Sequence, residues 1–294
     1  MKRKVNLVGK NTLTVSLPSN FVKRNSLQKG EEIDVFEEGN CLRLKCGKTL
    51  HGNVTIQADN HNRTSFIHAL RYYYRTGANV ITLKFTEPKL YYTRKSRKIP
   101  IHSVLTSELH RFIGMVIMEE TNSRYVIKCI IDEDLNDYNM CFQKLFYNIN
   151  EAFDKISSRL NKTAVQPYHD NFTRNANFCF RFLNKKGLET EQKTQSTISL
   201  IQHLELVMDI IESIPDMNLK IDSRFKMIAQ EIKNLLNDYR QYLNKQGLDV
   251  NFLDKKRIES EKKIIHSNHP SVYYMNVILL LLRDIYGIAS LIKD

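Results

Sequence analysis

Residues 3–24, RKVNLVGKNTLTVSLPSNFVKR, constrain the fold most, because their patterning asks for a buried face that so short a segment cannot bury alone. Residues 3–8 and 12–17 predict two strands. In the second, Leu13, Val15 and Leu17 alternate with Thr12, Thr14 and Ser16, the period of a half-buried strand. Gly9-Lys10-Asn11 supplies the turn between them. Pro18 suits a helix start, and Ser19–Asn25 predicts a short helix. After the break at Gly30, Ile33 and Val35 face one way, Glu32 and Asp34 the other. Glu38-Gly39-Asn40 then turns into a strand around Leu42–Cys46. Four short strands leave hairpin edges open and enclose too little volume for a core, which predicts a homodimer formed through this segment.

The formal charge of +12 is unevenly spread. Residues 1–50 carry ten Lys and Arg against five Asp and Glu, residues 51–131 twelve against five, and residues 132–294 twenty-two of each. A basic first part facing a polyanion, followed by a neutral part, is the organisation this implies. No apolar segment follows MKRK, so no secretory leader is expected, and the longest apolar run, Val277–Leu282, falls far short of the roughly 20 residues a membrane helix needs. A cytoplasmic protein with no membrane insertion is the expectation. The five cysteines include no CxxC; Cys41 and Cys46 fall on opposite faces of one strand and cannot clasp one metal, so reduced structural cysteines are expected.

Three domains are predicted: 1–48, 49–133 and 134–294. In the middle one, Val54–Ala58, Val80–Phe85, Met115–Glu119 and Arg124–Ile131 read as strands. Thr64–Thr76 and Ile101–Phe112 read as helices, and Lys89–Lys98 as a basic loop. This is a small α/β domain with a mixed sheet. Beyond Leu135, six helices are drawn: 135–161, 168–186, 191–214, 220–245, 249–267 and 271–292. Breaks fall at Pro167, Lys186-Gly187, Pro215, Gly247 and Pro270. Phe225, Ile228, Ala229, Ile232, Leu235, Leu236, Tyr239, Tyr242 and Leu243 form a 3.6-residue stripe. Ile201, Leu204, Met208 and Ile211 form another, as do Met275, Ile278, Leu282, Ile285, Ala289 and Ile292. Short connections imply antiparallel neighbours, and six helices divide into two three-helix units.

Through RKVNLVGK, TLTVSLP, FVKRNSLQKGEEIDV and CLRLK, residues 1–46 resemble the AbrB/MazE/SpoVT swapped-hairpin barrel. The resemblance implies that two chains interleave their hairpins to close one β-barrel and lay basic loops on double-stranded DNA. A second resemblance runs through HRFIGMVIMEETNSRYVIKCIID, residues 110–132, and the helical tail. With both, the chain is similar to archaeal proteins that join an AbrB-like domain to a PhoU-like domain. The fold class implied is α+β: a swapped-hairpin barrel, a small α/β middle domain, and a PhoU-like bundle of two three-helix units. PhoU proteins regulate phosphate uptake, and many bind metal clusters through ExxxD motifs on their third and sixth helices. LELVMD supplies the first such pair, Glu205 and Asp209. The second copy, LRDIYG, has Arg283 and Gly287 where the acids belong, with Asp284 one position off.

Arg3, Lys4, Lys10, Lys23 and Arg24 form the expected DNA-contact set, since Lys and Arg neutralise phosphates and release counterions. Arg3, Lys10, Lys23 and Arg24 match positions where the barrel family places its DNA-contacting basic side chains. The segment KLYYTRKSRK adds Arg94, Lys95, Arg97 and Lys98 beside Tyr91 and Tyr92, either as an extended DNA footprint or as a surface loop. Glu205 and Asp209 stand one turn apart on one helix face, and like charges so placed call for a cation or a basic partner; a solvated helix edge is the alternative. The resemblance implies iron, zinc, magnesium or manganese as that cation. His203 lies off the face of Glu205, and His266 with His269, before Pro270, reads as a polar loop. No nucleophile elbow, Gly-rich phosphate loop or HExxH is present, so nothing asks for an enzyme.

The function expected is a homodimeric DNA-binding transcriptional regulator of phosphate homeostasis, with the helical half sensing or coupling. The alternative is an adaptor whose helices dock on a phosphate transporter or signalling protein without specific DNA binding. An antitoxin-like role fits poorly, since such chains end in a short disordered tail whereas this one ends in a long helical one.

Overall fold

The computed structural model describes residues 2–24, 26–38, 41–46, 52–158, 161–217, 219–244, 249–267 and 272–293. The chain divides into two compact units, residues 1–50 and 51–294. Among the described residues the architecture is α+β, with several small sheets and a helical C-terminal region. No helix among them is long and apolar enough to cross a membrane.

The first unit holds two hairpins and a short helix. Strands β1 (Val5–Val8) and β2 (Thr12–Val15) pair antiparallel, with Val5 opposite Val15 and Leu7 opposite Leu13. Gly9 enters the turn at φ +68°, the left-handed backbone a tight reversal needs. Helix α1 (Ser19–Arg24) starts after Pro18, as expected. Strands β3 (Ile33–Glu38) and β4 (Cys41–Cys46) form the second hairpin. Asn25, Gly39 and Asn40, assigned above to the helix end and the turn, lie outside the described residues. The two hairpins are separate two-stranded sheets, and no closed barrel forms among the described residues of the chain.

The second unit begins with a mixed sheet whose strand order the sequence left open. β5 (Asn53–Gln57) runs parallel to β6 (Val80–Lys84). β10 (Arg124–Cys129) pairs antiparallel with both β6 and β9 (Met115–Glu120), giving the order β5-β6-β10-β9. Helix α2 (Arg63–Arg75) starts in a capping box. The Asn62 side chain accepts from the Ser65 amide at 3.0 Å, and the Ser65 hydroxyl accepts from the Asn62 amide at 3.1 Å. Its apolar face buries Phe66, Leu70 and Tyr74 with Ile81, Leu83 and Ile127 of the sheet. Helix α3 (Ile101–Leu109) adds Val104 and Leu105 to the same core and ends three residues before the expected Phe112.

Lys89–Lys98 is not a loop. β7 (Lys89–Tyr92) and β8 (Arg97–Pro100) form a hairpin closed by the tight turn Thr93–Lys95. Leu90 is buried opposite half-buried Ile99; these two apolar anchors were hidden among five basic residues.

Six helices follow: α4 (Leu135–Ser158), α5 (Lys162–Lys185), α6 (Glu191–Ser213), α7 (Ser223–Leu243), α8 (Val250–Ile265) and α9 (Val272–Lys293). The α7 stripe from Phe225 to Tyr242 is buried throughout, as are Ile201, Leu204, Met208 and Ile211 of α6. Consecutive helices pack as neighbours within α4–α6 and within α7–α9. α6 against α9 and α4 against α7 join the two groups around one core. Pro167 is no break. Asn161 caps α5 by accepting from the Thr163 amide at 3.0 Å, so the helix is running before it reaches the proline. Gly247 and Pro270 lie outside the described residues.

Candidate nucleic-acid interface

In the first unit the alternation that predicted strands is present, but among the described residues of this unit nothing covers it. Val5, Leu7, Leu13 and Val15 pair across β1 and β2 and share one face, with exposures of 63%, 64%, 68% and 50%. The second hairpin repeats this with Val35 and Leu42, both exposed. Basic residues flank the first hairpin along the chain. Arg3 and Lys4 precede β1, Lys10 sits in the turn, and Lys23 and Arg24 close α1. Arg3, Lys4, Lys10 and Lys23 are all exposed. The unit thus presents exposed apolar strand faces and exposed cations, a combination that suits pairing with another surface and contact with a polyanion.

The second basic segment is less uniform than its sequence suggests. Lys98 Nζ contacts Glu87 Oε2 at 2.5 Å, and Lys95 Nζ lies 5.7 Å from the Tyr92 ring centroid. Arg94 and Arg97 are both exposed, and Arg94 also lines a cleft shared with Arg63, Arg71 and Arg111. All four cations are thus exposed on one hairpin, with Lys98 paired to Glu87.

Glu205 and Asp209 both lie on α6 but meet different partners. Glu205 accepts from Arg75 Nη2 at 2.5 Å and Nη1 at 3.2 Å. Asp209 is 66% exposed and stands 3.2 Å from His169 Nε2. His203 donates through Nδ1 to the Ser199 carbonyl at 2.7 Å, and its Nε2 lies 3.9 Å from Asp284. His266 donates to the Lys262 carbonyl at 2.6 Å; His269 is outside the described residues. Among the described residues no group of three or more His, Cys, Asp or Glu side chains is placed to hold a metal ion.

The polar chemistry that the sequence did not single out ties the sheet layer to the helices. Arg181 on α5 is fully buried. It donates to Glu133, to the Tyr74 carbonyl at 3.1 Å, to the Ala78 carbonyl at 2.8 Å and to Asn79 Oδ1 at 3.1 Å. Lys185 Nζ meets the other Glu133 oxygen at 2.7 Å. Burial acts to raise the Glu133 carboxyl, but the Lys185 hydrogen bond and the Arg181 charge outweigh it and hold the group below the usual carboxylate value. The signal was available: Arg181 stands in FCFRFL, where an arginine surrounded by buried apolar side chains requires internal partners.

A cleft of about 770 Å³ opens between α4 and α5, floored by Ile113, Ile131 and Phe178 and edged by Lys144 and Arg174. Cys141 lines it, and burial pushes its thiol up to about 11, which favours the protonated form. No family model, no curated protein and no solved structure matches this chain.

Proposed function

We propose that this chain is a homodimeric DNA-binding regulator of phosphate homeostasis. Residues 1–50 make the dimer and the DNA contact, and the PhoU-like helical half senses a signal or couples to a partner. The observation that carries the reading is the uncovered apolar face of Val5, Leu7, Leu13 and Val15 beside exposed Arg3, Lys4, Lys10 and Lys23. Four such side chains left in water are unfavourable by a total of several kcal/mol relative to burial. A second copy of the same hairpin supplies a complementary surface, and interleaving the two pairs converts four open edges into one closed barrel. Closure places both copies of the basic turn on one assembly, which suits the repeating phosphates of a duplex. The phosphate link rests on the likeness of the residues to AbrB–PhoU proteins.

The test is DNA binding by the full chain at two salt concentrations, with sedimentation under the same conditions. A dimer that binds duplex DNA with a log–log salt slope of about −7 is the expected result. A charge-reversed Lys23→Glu, Arg24→Glu variant that binds DNA as well as the parent chain favours the adaptor reading instead. A well-folded dilute monomer overturns the dimer.

A further inference from the structure

The groove beside helix α2 gathers more positive charge than its own acids balance. A cleft of about 230 Å³ is lined by Arg63, Arg71, Arg94 and Arg111, with His68 and Tyr92. Glu108, buried on α3, organises its floor. It accepts from Arg71 Nε at 3.3 Å and Nη2 at 3.2 Å, and from Arg111 Nη1 at 3.4 Å. Arg111 also reaches Asp170 on α5, yet its Nε is buried with no hydrogen-bond partner. Arg63 lies over the Tyr92 ring at 4.7 Å, and Arg94 comes from the turn of the β7–β8 hairpin. Four guanidiniums against two carboxylates leave two positive charges uncompensated in one concavity, an arrangement that an anion relieves. Guanidinium forks bind phosphoryl oxygens bidentately, and the two uncompensated charges suit a dianionic phosphoryl group.

The cleft does not end there. A second one of about 660 Å³ shares His68 and Arg71 with it and continues along α2, α5 and α6 past Tyr72, Phe172, Thr173 and Leu206, with the Arg75–Glu205 pair and Asp209 on its far wall. Together they offer a cationic head and a mixed apolar and polar body in the size range of small-molecule sites. We propose that this groove binds a phosphorylated small molecule of nucleotide size. Arg63, Arg71, Arg94 and Arg111 hold the phosphoryl group, and the organic body lies toward Tyr72 and Leu206. The site is concave and lies wholly in residues 51–294, so it is independent of the DNA reading.

The test is calorimetric titration of the full chain with AMP, ATP and inorganic phosphate. Either nucleotide binding at one site per chain, more tightly than inorganic phosphate and more weakly at high salt, is the expected result. Arg63→Ala with Arg94→Ala weakens that binding by about a hundred-fold. Neither arginine makes a carboxylate pair among the described residues, so the fold is kept. Arg63→Lys with Arg94→Lys, which preserves charge but not the fork, loses part of the affinity. Lys10→Ala with Lys23→Ala leaves nucleotide binding unchanged while weakening DNA binding. The proposal is overturned by any of three results: inorganic phosphate binding as tightly as the nucleotides, nucleotide affinity lost with Lys10 and Lys23 instead of Arg63 and Arg94, or no heat from any probe at millimolar concentration.

Discussion

Arg75 and Glu205, 130 positions apart, form a two-pronged ion pair in which Nη2 meets Oε1 at 2.5 Å and Nη1 meets Oε2 at 3.2 Å. The pair joins the last turn of α2 to the middle of α6. Arg75 Nε donates to Asn177 at 2.7 Å, and the guanidinium carbon lies 4.4 Å from the centre of the Phe180 ring. An acid that the sequence offered as a metal ligand is thus engaged in holding two layers together. Arg75→Met is expected to lower stability by about 2 kcal/mol, because it strands a carboxylate and a carboxamide. Glu205→Gln, which keeps an acceptor, is expected to cost about half as much. Urea unfolding of the two variants checks the order.

Glu133 gives the acid sensitivity a definite sign. Its carboxyl is held below the ordinary 4.5 in the folded chain, so its contribution is complete above that value and is lost as pH falls toward the folded pKa. Glu133→Gln leaves Arg181 buried beside a neutral amide and is expected to cost about 3–5 kcal/mol near neutrality. The variant's stability is also expected to fall less steeply than the parent's below about pH 4.5. Denaturant midpoints from pH 3 to pH 7, on the order of one measurement per half unit, test both parts. Parallel acid limbs in parent and variant would remove Glu133 from the account.

The hairpin face makes a separate prediction. Leu7→Asp or Leu13→Asp places a carboxylate among the four apolar side chains that the proposed dimer buries. Either change is expected to leave residues 51–294 folded while abolishing dimerisation and, with it, DNA binding. Sedimentation and a DNA mobility assay on the same samples read the two losses. Lys10→Ala is expected to keep the dimer and to reduce the steepness of the salt dependence by about two, one contact from each chain.

Two glycines with left-handed backbones differ in what surrounds them. A Cβ on Gly114, at φ +81°, falls 2.3 Å from Ile131 Cγ1, whereas one on Gly9, at φ +68°, meets nothing within 4 Å. Gly9→Ala is expected to cost about 1–2 kcal/mol of local strain. Gly114→Ala adds overpacking and is expected to cost about 2–5 kcal/mol. Equal effects on the unfolding midpoint would contradict the contact.

The helices were legible because a long stripe averages over local exceptions. Nine apolar positions at helical spacing define α7 whatever stands between them. Pro167 was misread because a proline reports only that one amide is missing; the Asn161 cap upstream decides where α5 begins. The β7–β8 hairpin was hidden because its two apolar anchors, Leu90 and Ile99, are nine residues apart with Arg94, Lys95, Arg97 and Lys98 between them. Strand order and the Arg181 partners depend on contacts over roughly 30 to 110 positions, which no local pattern encodes. The same holds for the arginine groove. Arg63, Arg71, Arg94 and Arg111 are scattered through ordinary surface segments and become a cluster only when α2, α3 and the hairpin turn meet.

Helix α2 gives its apolar side to the sheet through Phe66, Leu70 and Tyr74. At its C-terminal end, the carbonyls of Tyr74 and Ala78 receive Arg181 from the bundle. One rod therefore belongs to the core of the sheet layer and is tied to the helices by polar contacts. Each such contact links the stability of the sheet layer to that of the helices, so a change at Arg75 or Arg181 is felt on both sides.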